Sequence, residues 1–228
     1  MRSYGSQIGK KFCVDGSAAL YPGNTVLSDV HPGNPAYETM RGLRQMALDA
    51  GMGELLILLP EDSYHMTVIR GLNDSVRTDA FWPSALSKQA TIREMDEYVS
   101  RAVASAKSPQ GFTMRFLGVS VTQEDFRVLV ESADQAQEQS LRRYRDQVAD
   151  ALGLRLAGHE TYRFHITLAY MHYLPDASER PRMEALLAQM NQRLSEAPSF
   201  HVDAPHIAFY QDMLVFSPER KPMEPRPM

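Results

Sequence analysis

The chain has 228 residues, 43% hydrophobic and 23% charged, with a formal net charge of −4, which suits one large domain or two small lobes sharing a core. That acidic balance, with a pI near 6.0, argues against a long tract of duplex DNA or RNA held through its phosphates and leaves a small phosphorylated ligand or one RNA end. Cys13 is the only cysteine, so an intrachain disulfide and a Cys-based zinc cluster are excluded. The stretch from Met1 to Phe12 is polar and basic, and no apolar run approaches membrane-spanning length, so a cytoplasmic monomer without membrane contacts is expected.

In chain order, Lys10 to Leu20 offers a short strand and a turn at Asp15-Gly16. Thr25 to Val30 reads as a strand. Asn34 then caps a helix with Pro35 at its first position and Ala36, Met40, Leu43 and Ala47 in step, ended by Gly51. The apolar run Glu54 to Leu59 predicts a buried strand, turned by Pro60-Glu61-Asp62-Ser63 into a second strand, Tyr64 to Arg70, as a hairpin. A loop with Phe81-Trp82-Pro83 follows to Gln89, long enough to suggest that it covers a site. Thr91 and Glu94 have capping-box spacing before a helix through Ala106. Strands are expected at Phe112 to Val121 and Phe126 to Glu131, a helix from Ala133 to Leu152, and a strand at Tyr162 to Tyr170. A helix over Ser178 to Ser195 and strands over Phe200 to Phe209 and Met213 to Phe216 complete the series.

One pattern occurs twice. Tyr64-His65-Met66-Thr67-Val68-Ile69 returns 100 positions later as Phe164-His165-Ile166-Thr167-Leu168-Ala169. Strand side chains alternate faces, so His65 shares a face with Thr67, and His165 with Thr167, while the apolar residues turn to the other side. The surrounding elements also repeat: strand, helix, strand, histidine strand, helix, strand. A duplication accounts for both, giving an α+β fold of two pseudo-twofold-related lobes, about 25–120 and 126–217, in one domain spanning 1–217. The axis would place antiparallel sheets around a central cleft with helices outside and bring the two histidines to one pocket. The tail, 218–228, mixes four prolines with charges and reads as flexible.

Two such HxT motifs on strands of duplicated lobes resemble the two-histidine (2H) phosphoesterase superfamily, which includes 2′-5′ RNA ligase-like proteins and cyclic nucleotide phosphodiesterases. The likeness covers roughly Thr25 to Phe216. It implies a metal-independent, cofactor-free phosphodiesterase in which His65 and His165 are catalytic and Thr67 and Thr167 bind phosphate. The longer gap between motifs and the 72–89 insert set the chain apart from compact members and leave the substrate open.

Opening a cyclic phosphodiester needs one group to take a proton from water and another to give one to the departing ribose oxygen. An imidazole pair can do both, since an unperturbed histidine titrates near about 6.5. The threonine hydroxyls would donate to the non-bridging oxygens. The expected substrate is a 2′,3′-cyclic phosphate or a 2′-5′ linkage in a small nucleotide or at an RNA end. A binding module that keeps the cleft without turnover is the alternative. Tyr64, Phe164, Trp82, Tyr170, Tyr173 and Tyr210 are candidate base-stacking surfaces, against the ordinary reading that such aromatics are packed in the core. Arg70, Arg115 and Arg163 are candidates to reach phosphate. His31, His159, His172, His201 and His206 have no matched partner and are expected to be structural or exposed.

Overall fold

The computed structural model describes residues 2–222. Its strands are β1 (Gly23–Asp29), β2 (Leu56–Leu58), β3 (His65–Asn73), β4 (Gly111–Val121), β5 (Asp125–Ser132), β6 (His165–Met171), β7 (Phe200–Asp203), β8 (His206–Tyr210) and β9 (Phe216–Ser217). Its helices are α1 (Pro35–Asp49), α2 (Ile92–Ser105), α3 (Gln135–Leu152) and α4 (Arg180–Ser195). Local chemistry sets the helix ends. Asn34 accepts from the Ala36 amide, Thr91 and Glu94 form the reciprocal capping box, Asp134 accepts from Gln137, and Gly153 ends α3 at φ +62°.

All nine strands join one antiparallel sheet in the order β7-β4-β5-β6-β3-β1-β8-β9, with β2 added beside β6. The histidine strands β3 and β6 are the central neighbours, and they pair at a single point, Met66 with Ile166. Met66, Val68, Ile166 and Leu168 are buried in the main core with residues of all four helices. The helices therefore occupy one face of the sheet, with α1 beside α4 and α2 beside α3. The sheet curls enough for Ser28 of β1 to donate to the Asp203 carbonyl of β7 at 2.9 Å, although four strands separate them. The architecture is α+β with antiparallel half-sheets, as the residue pattern predicts.

Three expectations about the strands change. The run 54–59 does not form a hairpin with the first histidine strand: a 3-10 turn at Glu61–Ser63 carries the chain away, and β2 pairs with β6. The single strand expected over 200–209 is two, split at Ala204-Pro205, because proline has no N–H for a ladder; β7 pairs with β4 and β8 with β1. The sequence repeats therefore exchange outer strands: β4 from the first joins the half-sheet of β6, and β8 and β9 from the second join that of β3.

Among the described residues, the loop after β3 makes no hydrogen bond, ion pair or ring contact with either histidine. Trp82 is buried in the main core, its indole N–H donating to the Leu86 carbonyl at 2.9 Å with Arg77 4.6 Å above its ring. The tail is anchored as far as Arg220, which grips both carboxylate oxygens of Asp96 at 2.7 Å and donates to the carbonyls of Tyr210 and Gly23. Residues 223–228 of the expected flexible tail lie outside the described residues. Asp96 is largely buried and also bound by Asn24, so Arg220→Ala leaves a desolvated carboxylate without its cation. We expect a loss of about 2–4 kcal/mol in urea denaturation. A loss below about 0.5 kcal/mol would mean that solvent screens the pair as it does surface bridges.

Candidate functional site

The face of the sheet opposite the helices carries both motifs. Extending the register by one residue either side of Met66 and Ile166 sets His65 opposite Thr167 and Thr67 opposite His165. The histidines then lie on the diagonal, where residues of a regular ladder are about 7–8 Å apart and their Cβ atoms somewhat closer. All four side chains are half-buried.

Each ring is held in the same way. His65 Nδ1 is 2.7 Å from the carbonyl of Ser63, and His165 Nδ1 is 2.9 Å from that of Arg163. A carbonyl only accepts, so the proton sits on Nδ1 in both and each Nε2 is turned towards the open face. Among the described residues, neither Nε2 has a hydrogen-bond partner, nor does the hydroxyl of Thr67 or Thr167.

A β-bulge extends the site. Register with β1 skips Val68, and Val68 and Ile69 are both buried, which brings Arg70 round to the histidine face. The second copy does the same at Leu168 and Ala169, so Tyr170 is the counterpart of Arg70. Arg70 is exposed and has no ion-pair or hydrogen-bond partner among the described residues. Tyr170 is instead buried under the amino-terminal segment, against Phe12 and the Lys11 ammonium. That segment, irregular apart from isolated bridges, closes one end of the face: Lys11 also bonds Glu124 at 3.0 Å.

The flanking strands make the two halves chemically unequal. Asp29 of β1 is opposite His65 and Leu27 is opposite Thr67; on β5 the counterparts are Leu129 opposite His165 and Arg127 opposite Thr167. Asp29 Oδ2 lies 3.4 Å from His206 Nε2 and 3.7 Å from His31 Nε2. Arg127 is held by Asp125 through contacts of 2.7 and 2.5 Å. His65 packs on Phe216 at 4.2 Å between centroids, and His165 has Tyr162 at 5.8 Å.

Burial pushes the His65 pKa down to about 4, against the opposing pull of the Ser63 carbonyl and Asp29. His165 is lowered too, by burial first and then by Arg127 and Arg70, with the Arg163 carbonyl and Asp125 opposing. Both rings are thus mainly neutral at pH 7 in the unliganded protein. Phe216→Ala rehydrates His65, so its NMR titration midpoint should rise towards about 6.5. A midpoint unmoved from the wild type would show that this ring is not what shields it.

The other residues singled out from sequence fall elsewhere. Tyr64 and Phe164 are core side chains, edge-on to Tyr37 and Tyr162. Trp82 is in the core, as described. Tyr173 stacks on Tyr4 at 5.0 Å beneath Arg2. Arg115 is spent on Glu131, across from it on β5. Tyr210 adjoins the site through Phe216, at 5.2 Å between centroids, and burial pushes its pKa up to about 12. Sequence reasoning missed Asp29, Arg127 and Phe216, and left His206 as structural or exposed. For the first two a signal existed, since the spacing of 100 that relates the histidines also relates Leu27 to Arg127 and Asp29 to Leu129. Among the described residues, Asp146, His159 and Glu160 come close enough together to hold a cation, but Arg155 already bonds both carboxylates, at 2.8 and 2.7 Å.

An antiparallel α+β fold with HxT strands as central neighbours defines the two-histidine phosphoesterase class. Within it the chain belongs to the family 2H-phosphodiest, described as a domain of unknown function (DUF1868), whose model matches residues 11–137, more than half of the chain and including the first motif. A crystal structure of a conserved protein of unknown function from Agrobacterium tumefaciens is similar, with a TM-score of 0.85 and 27% identity over 95% of this chain and 92% of that one. No curated protein matches. No helix among the described residues is long and apolar enough to cross a membrane.

Proposed function

We propose that the chain is a phosphodiesterase that hydrolyses a 2′,3′-cyclic phosphate or a 2′-5′ phosphodiester of a small nucleotide or RNA end, by acid-base catalysis from His65 and His165 without a metal. The reading rests on one observation: two imidazoles in the same tautomer direct their Nε2 atoms to a shared face beside two uncommitted threonine hydroxyls. One Nε2 takes the proton from the attacking water while the other, protonated, delivers a proton to the departing ribose oxygen. Thr67 and Thr167 donate to the non-bridging oxygens as charge grows on phosphorus. The exposed, unpaired Arg70 supplies a cation that a phosphodiester monoanion can approach. A phosphodiester anion also favours protonating one imidazole, which burial otherwise keeps neutral.

The test is an assay of 2′,3′-cyclic nucleotides, ADP-ribose cyclic phosphate and 2′-5′ dinucleotides in EDTA. Turnover of at least one is expected. No turnover on any, with binding retained, would favour a ligand-binding module, and activity that disappears only in chelator would favour a metallohydrolase.

A further inference from the structure

Arg145 of α3 is 3% exposed and forms no ion pair with a carboxylate among the described residues. A guanidinium taken out of water without a counter-ion is costly, and core packing alone would be served by an apolar side chain. Its contacts lead to the seam between the two motifs. One terminal nitrogen donates to the carbonyl of Val68 and the other to that of His159 at 3.1 Å. Its plane lies over the ring of Tyr162 at 4.2 Å and near that of Phe164 at 5.7 Å. Tyr162 in turn donates its hydroxyl to the Thr67 carbonyl at 3.3 Å while its ring flanks His165.

The Val68 carbonyl bound by Arg145 and the Thr67 carbonyl bound by Tyr162 belong to a weakly laddered stretch. The histidine strands pair at one point only, and Val68 is the bulge residue with no partner on β1. In the second copy the corresponding carbonyl, of Leu168, is bound by a backbone amide, that of Leu59, at 3.1 Å. The first copy has side chains in that role. Arg145 thus bonds the residue after Thr67 and lies near the ring of the residue before His165, and Tyr162 joins Thr67 to His165.

We propose that Arg145 and Tyr162 are positioning residues that set the separation and angle of the two HxT motifs. The inference rests on the reading of His65 and His165 as the acid-base pair. Tyr162→Phe keeps the ring under Arg145 and removes only the hydrogen bond to the Thr67 carbonyl. It should lower kcat about 10-fold with KM and Tm near wild type. Arg145→Met should lower kcat further, and Arg145→Lys, which keeps a donor for one carbonyl, should recover part of the loss. Wild-type kcat in Tyr162→Phe would overturn the proposal even if Arg145→Met fails to fold. Histidine NMR titration of the same proteins needs no turnover. If the wild type hydrolyses none of the candidate substrates, it is the acid-base reading that fails, and the titration decides the positioning role. Shifted His65 and His165 midpoints in Tyr162→Phe at unchanged Tm then support it, and superimposable midpoints overturn it.

Discussion

His65→Ala and His165→Ala should each lower kcat on a 2′,3′-cyclic nucleotide by about 10²- to 10⁴-fold, because under the proposed mechanism each removes one of its two proton transfers. Both side chains leave the sheet on the face away from the helices and are only half-buried, so the variants should fold with far-UV spectra like the wild type. The double variant should lose little beyond the worse single one, since removing either half of a two-proton device disables it. Thr67→Ala and Thr167→Ala remove a hydrogen-bond donor and not a proton carrier, and their smaller effect, about 10- to 100-fold, should fall on kcat more than on KM. Steady-state kinetics decides. Hydrolysis persisting at wild-type rate in both histidine variants would end the acid-base assignment.

The second large effect is on pH. The proposed mechanism needs one imidazole neutral and the other protonated, and burial holds His65 down at about 4 with His165 also lowered. The singly protonated form is thus most abundant below the ordinary histidine range. The profile of kcat/KM should be a bell displaced to acid, with an alkaline limb that begins below about pH 6.5 and falls close to tenfold per unit at higher pH. An acid limb should appear near about pH 4, where the second ring takes a proton. The two limbs belong to the coupled pair and not to one ring each. The kcat profile should lie to the alkaline side of the kcat/KM profile, because bound phosphodiester stabilises the imidazolium. A kcat/KM profile flat from about pH 5 to 8 would exclude paired histidines as the proton carriers.

The histidine motifs were legible because strand alternation is local: a period of two puts His65 with Thr67 on one face whatever the rest of the chain does. The helices were legible for a similar reason, since caps such as Asn34, Thr91 and Gly153 act within a turn. The partner of β2 was not, because nothing within 54–70 records that β6 offers a better edge than β3. Nor was the value of the aromatic candidates: Tyr64, Trp82 and Tyr170 are closed off by packing from Tyr37, Leu86 and Phe12, distant or looped neighbours whose approach depends on the whole fold.

By itself the sequence determined an α+β duplication, four chemically matched side chains and the face of the strand on which each pair lies, because these follow from composition, repetition and backbone geometry. Tertiary structure alone decided that β3 and β6 are neighbours, that bulges turn Arg70 outward and Tyr170 under the amino-terminal segment, and that Asp29 lies beside one histidine and Arg127 beside the other. Cross-strand pairing joins residues as far apart as Met66 and Ile166. Which edges meet is set by how the curled sheet buries its apolar face against four helices, a property of the assembled core and of no single segment.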